Sequence, residues 1–370
     1  MGLLKLSVLV IVAAIVATQT SADAIRGCYL TNWAQYRPSP GTWSFDKYVS
    51  GTCTHIFYAF ATTDASGNNP APTDASDLTV GYPGLKNLKA QQSGLKTILS
   101  FGGSTFGDFP TIAASADTIA TFAKNVVAFA KQYDFDGIDI DWEFPTSGQA
   151  TMFTNLLQGI KTAGGSDFIV TAAVTPNIET AAAGYDLSSL QSAVDYLNIM
   201  AYDYNGSWDT VTSINAPLYG TGIYTVNATA QYYKENFAAA QILLGIPTYG
   251  RGWTLSSSTP NQGVGAPAPS ASPALATTQS AGILAYYEAC QVISQGGSVN
   301  WDSTSETPYT QLNTDWYNYE NPQSVTDKTD YAKTNGFAGV FVWTLDYDDL
   351  DNTCNNGTFP LLTSIKNALA

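Results

Sequence analysis

Histidine occurs once in the 370 residues, as His55, and none of the four cysteines falls in a Cys-x-x-Cys pair. Zinc sites assembled from clustered His and Cys ligands therefore have no material to draw on. A Ser-His-Asp nucleophile would rest entirely on His55, which sits at the edge of an apolar, strand-like run and reads as a core residue. Positive charge is also scarce. Fifteen Lys and Arg against 30 Asp and Glu leave a net charge of −15. Nucleic acid and anionic membranes both call for clustered positive charge, so neither is an expected partner. Aromatic residues, at 12%, match all charged residues together, with eight Trp and 22 Tyr. A neutral ligand with flat apolar faces, such as a polysaccharide, suits that balance.

Long apolar runs are missing except at the start. Lys5 precedes a run from Leu6 to Ala17 in which Ser7 is the sole polar residue. Ala22-Asp23-Ala24 then presents small residues at the −3 and −1 positions of a cleavage site. The run is shorter than the ~20 apolar residues of a membrane span. Residues 1–24 are thus expected to be a secretory signal peptide, leaving an exported, extracellular chain from Ile25. In that setting Cys28, Cys53, Cys290 and Cys354 suggest two disulfides, although spacing does not choose among the three pairings. Sequons at Asn205, Asn227 and Asn356 are candidate glycosylation sites.

From Ile25 onward, short β-branched and aromatic runs alternate with amphipathic segments. Strands are expected at Arg26–Trp33, His55–Phe60, Lys96–Phe101, Gly137–Trp142, Phe168–Val174, Tyr196–Ala201, Ile242–Pro247 and Gly339–Thr344. Helical patterns are clearest at Thr118–Gln132, Gln149–Ala163 and Val226–Ala239. Eight buried parallel strands spaced by helices predict a closed (β/α)8 barrel over residues 25–370, with catalytic groups at the C-terminal strand ends. The doubly wound alternative needs a Gly-rich turn after its first strand, and Thr31-Asn32-Trp33-Ala34-Gln35 holds no glycine. Between the seventh and eighth strands, about residues 251–322 exceed one βα unit and predict a small inserted α+β subdomain.

The segment richest in chemistry is Asp136-Gly137-Ile138-Asp139-Ile140-Asp141-Trp142-Glu143. Alternation puts Asp139, Asp141 and Glu143 on one side of a strand, roughly 6–7 Å apart. Asp136 has the opposite parity and reads as structural. Acids stacked on a buried face lose hydration and repel one another, and both effects favour the protonated carboxyl. A carboxylic acid that keeps its proton near neutrality is what protonation of a glycosidic oxygen requires. A calcium loop would place flexible Gly between its Asp ligands. Ile138, Ile140 and Trp142 indicate a core strand instead, and no metal is expected.

This segment resembles the Asp-x-x-Asp-x-Asp-x-Glu signature of glycoside hydrolase family 18, the chitinases and chitinase-like proteins. Further likenesses follow in order: Cys28-Tyr29-Leu30-Thr31-Asn32-Trp33, Ser100-Phe101-Gly102-Gly103, Met200-Ala201-Tyr202-Asp203-Tyr204, Tyr249-Gly250-Arg251 and Gly339-Val340-Phe341-Val342-Trp343. The resemblance implies a cofactor-free, monomeric chitinase acting on chitin and chito-oligosaccharides by a retaining, substrate-assisted route. Glu143 would protonate the leaving oxygen, and the sugar's own acetamido oxygen would attack the anomeric carbon. Asp141 would hold the acetamido N–H, Asp139 would share a proton with Asp141, and Tyr202 would aim the acetamido oxygen. Asp203 would bind the distorted sugar over a floor formed by Trp343. Tyr29, Trp33, Phe57, Met200 and Arg251 would line the site, and Trp208, Trp253 and Trp316 are candidates for outer subsites. Gly102 and Gly103 would let the backbone pass close to the acids, and Ser100 would hydrogen-bond Asp139. The resemblance also implies the pairs Cys28–Cys53 and Cys290–Cys354.

Two relatives in kind share such a barrel. An inactive chitinase-like lectin would have lost the acid, whereas Glu143, Asp141, Asp139, Tyr202 and Asp203 are all present. An endo-β-N-acetylglucosaminidase acting on N-glycans shares the acidic motif, but the expected insertion points to the chitinase branch.

Overall fold

The computed structural model describes residues 24–67 and 69–370; the expected signal peptide, Ala24 excepted, lies outside them. Eight parallel strands form the barrel: β1 (Ile25–Thr31), β2 (His55–Thr63), β3 (Lys96–Gly102), β4 (Gly137–Asp141), β5 (Ile169–Val174), β6 (Tyr196–Ile199), β7 (Ile242–Pro247) and β8 (Gly339–Trp343). Each pairs with its neighbours, and β1 closes the ring by pairing with both β2 and β8. The (β/α)8 expectation holds.

Local sequence accounts for the helices around it. In Ala116–Gln132 the residues Ile119, Phe122, Ala123, Val126, Val127 and Ala130 are buried, a single stripe at helical spacing. Its start is set by Ser115, whose side chain accepts from the Thr118 N–H in a capping box. Ala150–Gly164 packs beside it, and Ile138 and Ile140 of β4 are buried among these apolar faces. With Ile138 and Ile140 turned outward, the intervening Asp139 and Asp141 are left on the barrel interior.

β7 runs almost without interruption into the insertion, because Thr248 alone separates it from the strand Tyr249–Thr254. That strand pairs antiparallel with Asp315–Asn318, followed outward by Thr307–Leu312 and Asn300–Asp302. Ser270–Ala271 and Ile283–Ala285 complete a six-stranded sheet, and helix Tyr286–Ser294 lies against it. Trp253 and Trp316, candidates for outer subsites, are instead fully buried in a small second core with Ile214, Leu255 and Ala268. Their rings hold the insertion together and meet no solvent.

The disulfides join Cys28 to Cys53 and Cys290 to Cys354. The first links β1 to the start of β2, and the second fastens the insertion helix to the chain after β8. Of the three sequons, Asn356 is exposed. Asn205 is half-buried, and its amide donates to the Ile214 carbonyl at 2.8 Å. Asn227 is also half-buried, and its carbonyl oxygen accepts from the Tyr331 hydroxyl at 2.9 Å. His55 lies at the opposite end of the barrel from the acids' open end, with Nδ1 against the Thr54 hydroxyl at 2.9 Å. Burial, aided by Lys96, lowers it to about 4, so it is neutral at ordinary pH.

Candidate active site

Acids at alternate positions of β4 become a ladder climbing the barrel interior. Asp139 is fully buried at its lowest rung. Its Oδ2 accepts from the hydroxyls of Tyr29 (2.8 Å) and Ser100 (2.7 Å), and its Oδ1 from Thr171 (2.7 Å) and Asn198 Nδ2 (3.4 Å). Donors from β1, β3, β5 and β6 thus converge on one carboxylate. Burial raises Asp139 above its ordinary value, while the Thr171, Ser100 and Tyr29 hydroxyls pull it back.

The next rung has no such support. Asp141 is buried, and its Oδ1 has no hydrogen-bond partner among the described residues. Burial first, then the charges of Glu143 and Asp139, push it well above the ordinary carboxyl range. A proton placed on the lower two rungs therefore favours Asp141, because Asp139 is the better-solvated anion.

Glu143 stands just beyond the strand, with its side chain open to solvent. Desolvation by the surrounding protein, reinforced by Asp203, nevertheless pushes its carboxyl up to about 7. Glu143 thus stands at the C-terminal mouth of the barrel, exposed yet flanked by enough protein to weaken its hydration. The backbone of β3 presses close beneath. Gly103 N donates to the Asp141 carbonyl at 2.9 Å, and a Cβ on Gly102 would collide with that same oxygen. Both glycines have positive φ, 114° and 89°, so each is required for its backbone rather than for a side-chain contact.

β6 supplies the opposite wall. Tyr202 is 6% exposed, and burial, followed by Tyr249, Asp141, Asp203 and Glu143, raises its hydroxyl well above its usual range, so it stays a donor. Asp203 adopts a left-handed backbone with φ of 61°. Its Oδ1 receives the Tyr249 hydroxyl at 2.6 Å and Arg251 Nε and Nη2 at 2.9 and 2.6 Å. The Arg251 guanidinium also lies over the Trp208 ring, 5.0 Å from its centroid. Met200 is half-buried next to them.

Aromatic rings mark a path from the surface inward. Trp33 is 41% exposed and lies 6.1 Å from Phe60, which stacks on half-buried Trp343 at 5.8 Å. Trp208, 59% exposed, stands on the Arg251 side. Two expected contacts do not reach the barrel mouth. Tyr29 and Phe57, 1% and 0% exposed, stack on each other at 4.7 Å below it. Tyr29 serves Asp139 rather than an incoming ligand, and Phe57 supports Tyr29. Asp136, as expected, is structural: it accepts from Thr97 N at 2.8 Å and pairs with Lys89 at 2.9 Å.

Phe60, Thr171 and Asn198 were not singled out in the sequence, and Tyr249 stood there only within Tyr249-Gly250-Arg251, with no role of its own. Asn198 carried a usable signal, as a lone amide inside the apolar run Tyr196–Ala201 demands a buried partner. Tyr249 shares strand parity with Arg251, which places both side chains on one face.

An acid ladder at the C-terminal ends of eight parallel strands, walled by a Tyr-Asp pair and rimmed by Trp, defines a barrel built for glycoside chemistry. Residues 26–348 match Glycosyl hydrolases family 18, and the chain belongs to that family. It is 37% identical to a protein of Caenorhabditis elegans named "Probable endochitinase", over 93% of this chain and 60% of that one; the chain thus spans under two thirds of that relative's length. It superimposes on the immunomodulatory active chitinase of Trichuris suis with a TM-score of 0.89 and 37% identity, covering 94% of this chain and all (100%) of that one. Human YKL-39, described as a pseudo-chitinase with retained chitooligosaccharide binding, gives a TM-score of 0.87 at 29% identity, covering 94% and 99% of the two chains.

Proposed function

We propose that this protein is a secreted chitinase that cleaves β-1,4 N-acetylglucosamine linkages with retention, using the substrate's own acetamido group. The observation that carries the reading is Glu143: a carboxyl at the mouth of the barrel pushed up to about 7, two residues beyond Asp141, whose Oδ1 has no partner among the described residues and whose carboxyl burial raises well above its ordinary range. Near neutrality much of Glu143 is protonated and in reach of solvent-borne substrate. It gives its proton to the glycosidic oxygen as the bond to the anomeric carbon breaks. The acetamido oxygen closes on that carbon, while Asp141, its shared proton passed to Asp139, accepts a hydrogen bond from the acetamido N–H as positive charge spreads into the ring so formed. Tyr202 donates to the acetamido oxygen and fixes its line of approach. Water then opens the ring from the face the leaving group vacated, passing a proton to the Glu143 carboxylate. Trp343 underlies the sugar, and Trp33 and Trp208 extend the binding surface to either side.

Two disulfides support export into an oxidising compartment. Asn356 is the sequon with an accessible side chain.

The likeness to YKL-39 makes sugar binding without turnover the reading to beat. Product analysis on a chitin hexamer separates the two. The wild-type protein should release shorter oligomers with retained β configuration. Glu143→Gln should still bind the hexamer while turnover drops by several orders of magnitude. Saturable binding by wild type with no new reducing ends would establish a lectin.

A further inference from the structure

We infer that Asn215 is a positioning residue for catalysis, holding Asp203 in its left-handed turn and wiring that turn to the inserted subdomain. The inference rests on the proposed role of Glu143 as proton donor.

Asn215 is 1% exposed and lies 12 residues after Asp203 in the chain, in the loop that follows β6. Its Oδ1 accepts the Asp203 backbone N–H at 2.8 Å, and its carbonyl accepts Tyr204 N at 3.0 Å. Two consecutive N–H groups of the turn are thus captured by one residue. Left-handed backbone is uncommon for residues other than glycine and persists where surrounding bonds enforce it. Asn215 is in turn held by the insertion, since its N–H donates to Asn318 Oδ1 at 2.8 Å. Asn318 is fully buried, donates to the Pro308 carbonyl at 2.9 Å, and sits in register with Arg251. Arg251 is the residue that grips the Asp203 carboxylate. The insertion therefore holds Asp203 twice, through its backbone by Asn318 and Asn215, and through its side chain by Arg251 and Tyr249.

Fixing Asp203 matters because its charge is one of the two influences that keep Glu143 protonated. The groups facing this pair are Asp141 on β4, Tyr202 on β6, Tyr185 near the helix Ile178–Gly184, and Tyr249 and Arg251 on the insertion. Arg251 and Tyr249 satisfy Asp203 in its present place. Without the Asn215 acceptor, the Asp203 N–H is left unpaired and the turn is free to relax, carrying the carboxylate away from Glu143.

The test follows the Glu143 carboxyl by NMR in protein labelled at glutamate, with Glu143→Gln as the assignment control. In Asn215→Ala the Glu143 titration midpoint should move about one pH unit lower, the scale of removing a neighbouring like charge. The alkaline limb of kcat on a chito-oligosaccharide should move with it. Asn215→Ser, which withdraws the acceptor but stays polar, should give the same shift and serves if the alanine protein does not fold. Asn215→Asp keeps an acceptor oxygen in place and should not lower the midpoint. In an Asp203→Asn background, Asn215→Ala should bring no further fall, because its effect passes through the Asp203 charge. An unmoved midpoint in the folded serine or alanine protein, or an equal fall in the Asp203→Asn background, would overturn the inference. A wild-type Glu143 that titrates near 7, shifts as stated and yet releases no reducing ends would sink the chitinase reading and leave intact only Asn215's hold on Asp203.

Discussion

Tyr29→Phe removes one oxygen from the most enclosed part of the site and leaves the packing in place, since the ring still stacks on Phe57 at 4.7 Å and meets Trp343 at 5.4 Å. The lost hydroxyl donates to Asp139 Oδ2 at 2.8 Å and accepts from Asn198 Nδ2 at 3.0 Å. A hydrogen bond to an ionised group contributes about 1.5–3 kcal/mol, against about 0.5–1.5 for a neutral pair. Asp139 in the variant should accordingly titrate higher, because its ionised form loses about 1–1.5 kcal/mol more than its neutral form. The sign of the stability change follows. Burial already holds folded Asp139 above its unfolded value, so its favourable share of stability is present below the unfolded pKa and is lost as pH rises through the folded one. Raising the folded value further steepens that loss. Urea unfolding should therefore show the variant destabilised by about 1.5–3 kcal/mol at pH 8, shrinking to about 0.5–1.5 kcal/mol in acid, where Asp139 is protonated in both proteins. Equal destabilisation at the two pH values would mean that the hydroxyl does not serve an ionised Asp139, and the proton order assigned to the ladder would be wrong.

Three further outcomes are expected. Because Glu143 is pushed up to about 7 and must carry a proton to act, kcat on chito-oligosaccharides should fall as pH rises through about 7, ten-fold per unit beyond it; a flat profile to pH 9 would exclude Glu143 as the acid. Gly102→Ala pairs a φ of 114° with a collision against the Asp141 carbonyl, and should cost at least about 2 kcal/mol in denaturant unfolding and most of the activity. Replacing Cys290 and Cys354 by Ser opens a loop of sequence separation 64 and should lower unfolding free energy by about 2–4 kcal/mol, measured under oxidising conditions, while Glu143 keeps its titration.

Periodicity carries information about direction, and this is why β4 was readable in advance. Asp139, Asp141 and Glu143 alternate with Ile138, Ile140 and Trp142, so parity alone assigns the acids to one face. All eight strands were likewise legible, and β7 matched its expected bounds at Ile242–Pro247. Strand ends were less so. β6 was expected to reach Ala201 but stops at Ile199, where Ala201 N and Tyr202 N bond back to Ile199 and Met200 carbonyls and coil the chain out of the sheet. Height along the barrel axis is invisible to periodicity, which is why Tyr29 and Phe57 read as ligand contacts when they lie a layer below. Trp253 and Trp316 misled for a related reason, because a tryptophan in a strand looks the same whether its face meets solvent or a second core. Asn215 and Thr171 matter through partners distant in sequence, at Asp203, Asn318 and Asp139. Nothing in the residues announces the cis peptide bonds at Ala59–Phe60, Glu143–Phe144 and Trp343–Thr344, since proline alone carries such a signature.

Thr248, the single residue between β7 and the insertion, is pinned to the end of β8. Its N–H donates to the Trp343 carbonyl at 3.0 Å, and its hydroxyl donates to Thr344 O at 2.6 Å and accepts from Thr344 N at 2.8 Å. Among the described residues no flexible link separates barrel and insertion at this join, because the strand Tyr249–Thr254 leaves β7 through a residue fixed on both sides. The far turns, residues 303–306 and 313–314, are tied back as well: Ser305 O accepts from Leu218 N at 2.9 Å and Thr314 O accepts from Leu255 N at 2.8 Å. Tyr249 and Arg251 follow directly on the pinned Thr248, so their grip on Asp203 is set by the barrel end itself.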